Sequence, residues 1–221
     1  MKSLLAKIAL STFIMFTSIH SQATTYTNQG TNTGSIANLG APGAFSFGET
    51  FTSPGGILQN FNFWADHGDY AGNVVIGLAA WDGNKIVGPA LYTSAPILYE
   101  GSLQAIGASN INLALPTGLT YVVYLTVIGV TDPLSMVTFR ATHHNGGLLK
   151  LFVSQHSEDP NVAWLPWDGG HLEFEANFTS AVPEPETYGM LLAGLGIIGF
   201  ALRRKFKLPQ VQAASSARRV Q

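Results

Sequence analysis

Between residues 45 and 178 apolar side chains fall at every second position or in short unbroken runs, and Gly, Pro, Asn or Asp interrupts each run before it reaches helical length. No stretch of this body keeps the 3.6-residue period of an amphipathic helix. Phe45, Phe47 and Phe51 share a face in a run that ends at Thr52, after which Pro54-Gly55-Gly56 turns the chain. Ile57 to Ala65 and Asn73 to Trp81 follow, the second closed by Asp82-Gly83-Asn84, a hairpin turn of the Asp-Gly type. Further strands are predicted at Ile86 to Tyr92, Ile97 to Glu100, Asn110 to Leu115, Leu119 to Val130, Met136 to Arg140 and Leu148 to Val153. The cleanest alternation is His171 to Phe178, with Leu172, Phe174, Ala176 and Phe178 inward and Glu173, Glu175 and Asn177 outward. About ten short strands at this spacing predict an all-β fold, an antiparallel β-sandwich of jelly-roll type over residues 24–180.

A body of that length buries a sufficient core by packing alone. It has to, because the 221-residue chain holds no cysteine, which removes disulfides, thiolate metal sites and cysteine nucleophiles. Charge is uneven. From Thr24 to Val182 the cations are Lys85, Arg140 and Lys150 against eleven carboxylates, a net of −8, whereas beyond residue 202 there are six cations and no acid. Three scattered cations cannot neutralise a run of phosphates, so the body is not expected to bind nucleic acid. An acidic body and a basic tail on either side of an apolar run are instead the pattern of membrane topology.

Both ends have the form of targeting segments. Lys2 and Lys7 precede an apolar stretch from Ile8 to Ile19, and Ser21-Gln22-Ala23 places small residues three and one before a cleavage point. Residues 1–23 are therefore predicted to be a signal peptide, cleaved after Ala23, that takes the chain through the Sec translocon. At the other end Val182-Pro183-Glu184-Pro185-Glu186-Thr187 is followed by fifteen uncharged residues, Tyr188 to Leu202, and then Arg203, Arg204, Lys205 and Lys207. A helix over 188–202 is about 22 Å long against a hydrocarbon core of ~30 Å. It is expected to cross the membrane if its flanking cations snorkel and the bilayer thins. The prolines hold the preceding segment extended, and the cations act as a membrane stop that keeps the far end cytoplasmic.

Val-Pro-Glu-Pro at 182–185, Met-Leu-Leu-Ala-Gly-Leu-Gly at 190–196 and Arg-Arg-Lys at 203–205, in that order, closely resemble the PEP-CTERM sorting signal, also described as an ice-binding-protein-like C-terminal domain. The resemblance covers residues 181–207. It implies recognition of Pro183, Glu184 and Pro185 by an exosortase, a membrane-embedded transpeptidase-like enzyme of Gram-negative bacteria that make exopolysaccharide. It also implies a precursor held at the inner membrane with its body in the periplasm, then an outer-envelope or extracellular product. The tail 208–221, expected to be disordered, departs from the usual pattern, in which little follows the basic cluster. More diffusely, Phe47-Gly48-Glu49-Thr50-Phe51-Thr52, Trp81-Asp82-Gly83 and Phe174-Glu175-Ala176-Asn177-Phe178 are similar to a β-domain found ahead of such signals and to carbohydrate-binding modules.

No nucleophile elbow, His-Glu-x-x-His pair, P-loop or dinucleotide glycine pattern is present, so the body is expected to be non-catalytic, with no cofactor. Three weaker constellations remain. Asp66 and Asp69 flank a loop that would contribute to a Ca²⁺ site, although two carboxylates alone do not fill the six to eight oxygen positions that ion takes. The same pair with His67 and His143-His144 would make a metal-dependent hydrolase if the loops met, but His143-His144-Asn145-Gly146 reads better as a polar hairpin tip. Trp164-Leu165-Pro166-Trp167-Asp168-Gly169-Gly170 reads as a loop, and Trp164, Trp167 and Asp168 form a candidate glycan platform, exopolysaccharide being the natural ligand class.

Overall fold

The computed structural model describes residues 23–68, 71–159, 162–180 and 185–205. Residues 1–22, with nearly all of the expected signal peptide, and the tail 208–221 lie outside the described residues. The chain divides at Ala181 and Val182 into two compact units.

The first unit holds fourteen described strands: β1 (Ala23–Thr27), β2 (Gly34–Leu39), β3 (Ser46–Thr52), β4 (Ile57–His67), β5 (Gly72–Trp81), β6 (Ile86–Thr93), β7 (Ile97–Tyr99), β8 (Gln104–Ala114), β9 (Thr120–Thr126), β10 (Val137–Thr142), β11 (Leu149–Gln155), β12 (Leu165–Trp167), β13 (His171–Leu172) and β14 (Phe174–Thr179). One seven-stranded sheet runs β1-β14-β4-β10-β13, with β2 on β10 and β8 on β4. The other runs β12-β11-β3-β9-β5-β6, with β7 on β5. Pairing between these strands is antiparallel throughout.

One hydrophobic core draws on both sheets, because alternate residues of each strand point the same way. From the second sheet come Phe47 and Phe51 of β3, Ile76 and Leu78 of β5, and Val123 and Leu125 of β9; from the first come Phe61 and Phe63, Phe139, and Phe174 with Phe178. Ring contacts tie the two together: Phe47 meets Phe139 edge-on at 6.2 Å, and Phe51 lies 6.3 Å from both Phe61 and Phe178. Burying each such ring contributes about 1.5–3 kcal/mol. The expected all-β, antiparallel class is thus borne out, and so is the Asp82 hairpin, where Asp82 Oδ1 accepts the N–H groups of Asn84 and Lys85 at 2.8 Å each.

Several local expectations are corrected. The run His171 to Phe178 is two strands, broken at Glu173, where the chain changes partner. Glu173 N–H donates to the Arg140 carbonyl of β10 (2.8 Å), and its own carbonyl accepts from Trp64 N–H of β4 (3.2 Å). Glu173 was expected to face solvent and is instead fully buried, its carboxylate 3.0 Å from Arg140 Nε and accepting the Gly30 N–H. Leu165-Pro166-Trp167, expected to be loop, is a short edge strand on β11; Pro166 is tolerated there because an edge strand has no partner waiting for its missing N–H. His143 to Gly146 is not a hairpin tip but a connection between sheets, since β10 and β11 belong to different ones.

Candidate functional site

The second unit contains α1 (Pro185–Lys205), which takes in the helix expected over 188–202 and extends it by three residues at each end. Pro185 opens it at the position where a missing N–H costs nothing, and Arg203, Arg204 and Lys205 occupy the last turn, where the helix dipole favours cations. Pro183, Glu184 and Lys207 lie outside the described residues. The described middle of α1 is apolar and uncovered, with Ile197 and Phe200 about 70 % exposed (71% and 70%). The expected membrane-crossing helix is not borne out: among the described residues no helix is long and apolar enough to cross a membrane. Glycines 189, 194, 196 and 199 dilute the hydropathy of this stretch.

With that arrangement in place the comparison with known families is decisive for this end. Residues 181–205 match the family model of the PEP-CTERM protein-sorting motif. The chain carries a PEP-CTERM sorting motif. Such a motif implies export, membrane-associated sorting and an exosortase as processing partner. No curated protein matches the chain. Among solved structures, that of the infectious bursal disease virus Gt strain is similar over 86% of this chain and 56% of the viral one, at 13% identity and a TM-score of 0.28. The chain thus spans little more than half of that relative, and the likeness is too slight to specify a fold.

Upstream of the PEP-CTERM motif, the expected glycan platform comes apart. Trp164 and Trp167 are three residues apart across a strand, so they face opposite sides of the second sheet. Trp164 is 3% exposed and packs on the outer face with Val122 and Val153, its ring edge-on to Trp81 at 6.0 Å and to Tyr124 at 5.9 Å. Gly48 beneath it makes room: a Cβ there would come within 3.0 Å of the indole and 2.8 Å of Val122. Trp167 is 44% exposed and lies on the inner side of β12, edge-on to Phe152 at 5.8 Å. Asp168 is exposed beside it.

The inner side of β11 and β12 extends past the shared core and faces β2 of the other sheet, which leaves a groove of about 450 Å³. Phe152, Leu165 and Trp167 form one wall, Ile36, Ala37 and Asn38 the other, and Phe47 lies at the floor. Asn38 is held at a φ of +76° where β2 slips register against β10, and this kink turns the strand so that Ile36 and Leu39, three apart, are both buried.

The remaining candidates do not assemble. Asp66 pairs with its neighbour His67 at 3.3 Å at the end of β4, and Asp69 lies outside the described residues. His67 sits opposite Thr138 at the start of β10, whereas His143 follows the end of that strand. Five residues of strand separate the two positions by roughly 17 Å, and His144 Nδ1 is occupied accepting the Gly146 N–H at 3.0 Å. Among the described residues no three His, Asp or Glu side chains come together as metal ligands.

Sequence reasoning missed a pair of buried carboxylates beside the β13–β14 break. Glu49 of β3 crosses from one sheet to the other, accepting the Leu172 N–H at 2.7 Å and lying 2.9 Å from His171 Nδ1. Burial pushes its carboxyl above the ordinary range, opposed by His171 and by the Leu172 N–H. The signal was present: Glu49 has the same parity as Phe47 and Phe51 and so had to share their inward face.

Proposed function

We propose that this chain is an exported, non-catalytic protein of the bacterial cell envelope or extracellular matrix, sorted through its PEP-CTERM motif. The match at 181–205 carries the reading. Residues 1–23 act as the signal peptide for the Sec translocon, the body is delivered to the periplasmic side, and an exosortase processes the chain at Pro183-Glu184-Pro185 on its way to the outer envelope or beyond. The reading calls for no cofactor. Deletion of residues 183–207 tests it by cell fractionation: the protein is expected to change both compartment and apparent size. Unchanged location and size would refute the proposal.

A second reading gives the body a ligand, a polysaccharide, and is favoured by one observation: Trp167 stays half exposed on a side of the sheet that is elsewhere core. Trp164 has no part in it.

A further inference from the structure

We propose that the groove between β2 and β12 is a binding site for a neutral polysaccharide, one sugar ring stacked on Trp167. The inference rests on the second reading above and gives it a place and a ligand class. Inner-facing side chains of a two-sheet protein are normally covered by the opposite sheet. Here Leu165 and Trp167 remain 58% and 44% exposed on that inner side, because β2 ends the facing sheet before it reaches them. The open wall is aromatic and rigid. Phe152 meets the Trp167 ring edge-on, and Gly169 lies so close to it that a Cβ would fall 2.2 Å from Cζ2, so the indole is fixed without a ligand.

Around this apolar wall stand hydrogen-bonding side chains. Ser35 and Asn38 stand on one side, Ser154 and His156 on the other, with Ser154 Oγ 3.4 Å from His156 Nε2. Among the lining residues there is no Asp, Glu, Lys or Arg. A sugar ring presents polarised C–H groups on its faces, which suit the negative face of an indole, and hydroxyls at its rim, which need donors and acceptors beside them. An anionic polymer would lose hydration in this groove and meet no Lys or Arg among the lining residues. An extended peptide would find poor pairing on β12, which is three residues long and lacks the Pro166 N–H. A volume of about 450 Å³ is within the usual range for small-ligand sites and leaves the rest of the polymer outside.

The test is affinity electrophoresis of the full chain in gels containing dextran or hydroxyethylcellulose, with alginate as the anionic counterpart. The neutral polymers are expected to retard the protein and alginate to leave it unretarded. Trp167→Ala is expected to weaken the retardation about tenfold, as truncating a tryptophan anchor does. Leu165→Asp, at an exposed position that does not disturb the core, is expected to do the same by placing a charge in the groove, while Trp164→Phe on the opposite face keeps full retardation. Full retardation by both Trp167→Ala and Leu165→Asp would overturn the groove and leave glycan binding standing. Retardation by alginate alone would overturn the groove and leave the second reading standing, and no retardation by any of the three polymers would overturn both together.

Discussion

Glu49 shows how one side chain sets a pH dependence for the whole body. Its carboxyl titrates above its ordinary value of 4.5 in the folded chain because burial outweighs the help of His171 and the Leu172 N–H. The folded state therefore holds that proton more tightly than the unfolded one. Its contribution to stability is fully present below about pH 4.5 and is lost as pH rises through the folded value. Glu49→Gln keeps an oxygen for the Leu172 N–H and removes the titration. The difference in unfolding free energy between the parent and Glu49→Gln, measured in urea from pH 4 to pH 8, is expected to move steadily toward the variant as pH rises. A difference that stays flat would show that the carboxyl does not titrate differently in the fold. At the same scale, Gly48→Val is expected to cost about 1–3 kcal/mol, the usual penalty for overpacking. It forces a side chain against Val122, Val153 and the Trp164 ring, so tryptophan emission should shift to longer wavelength as Trp164 is lifted.

Among elements, the β13–β14 break is where the fold relies most on a single side chain from elsewhere. Asn28, 1% exposed, donates from Nδ2 to the carbonyls of His144 (2.9 Å) and Leu172 (3.0 Å) and accepts from Phe174 N–H (2.7 Å). It thus satisfies the backbone groups that lose their ladder partners where the strand changes neighbour. Asn28→Ala leaves two buried backbone groups, the Leu172 carbonyl and the Phe174 N–H, short of a partner and is expected to destabilise the body by roughly 2–4 kcal/mol, read by urea unfolding. Faster hydrogen exchange at the Phe174 amide would locate the damage; unchanged exchange there would refute this role. Element boundaries show what periodicity can and cannot reveal. β3, β4, β5 and β14 were legible because each sends large apolar residues to one face at period two, and β11 because Leu148 to Val153 is a short apolar run interrupted only by Lys150. β1 was not, since Ala-Thr-Thr-Tyr-Thr lies on an edge where only Tyr26 touches the core, edge-on to Phe178 at 5.8 Å. β2 was hidden by its kink at Asn38, which puts its two buried residues three apart and breaks the pattern. β12 was hidden by Pro166, read as a breaker although edge strands accept it.

For the molecule as a whole, the sorting end was readable from the sequence because it is a linear motif, recognised in order along the chain and independent of packing. The groove was not, because it exists only where two distant edges, near residues 36 and 167, are brought to face each other. The same distinction predicts where the chain tolerates loss. β14 ends at Thr179, paired with Ala23 of β1, while Phe174, Ala176 and Phe178 sit in the core. Removing residues 1–23, the expected signal peptide, takes only the Ala23–Thr179 pair from β1 and keeps Thr24 to Thr27 in register with β14. Its thermal midpoint is expected to lie within about 2 °C of the longer chain, since among the described residues only that one pair is lost. Removing residues 1–27 strips the whole edge strand, together with the Tyr26 contact on Phe178 and the Thr27 hydroxyl donated to the Phe174 carbonyl at 2.9 Å. A loss of about 1–2 kcal/mol, several degrees for a domain of this size, is expected there. Equal midpoints for the two truncations, measured by circular dichroism, would mean that β1 adds nothing to the sheet.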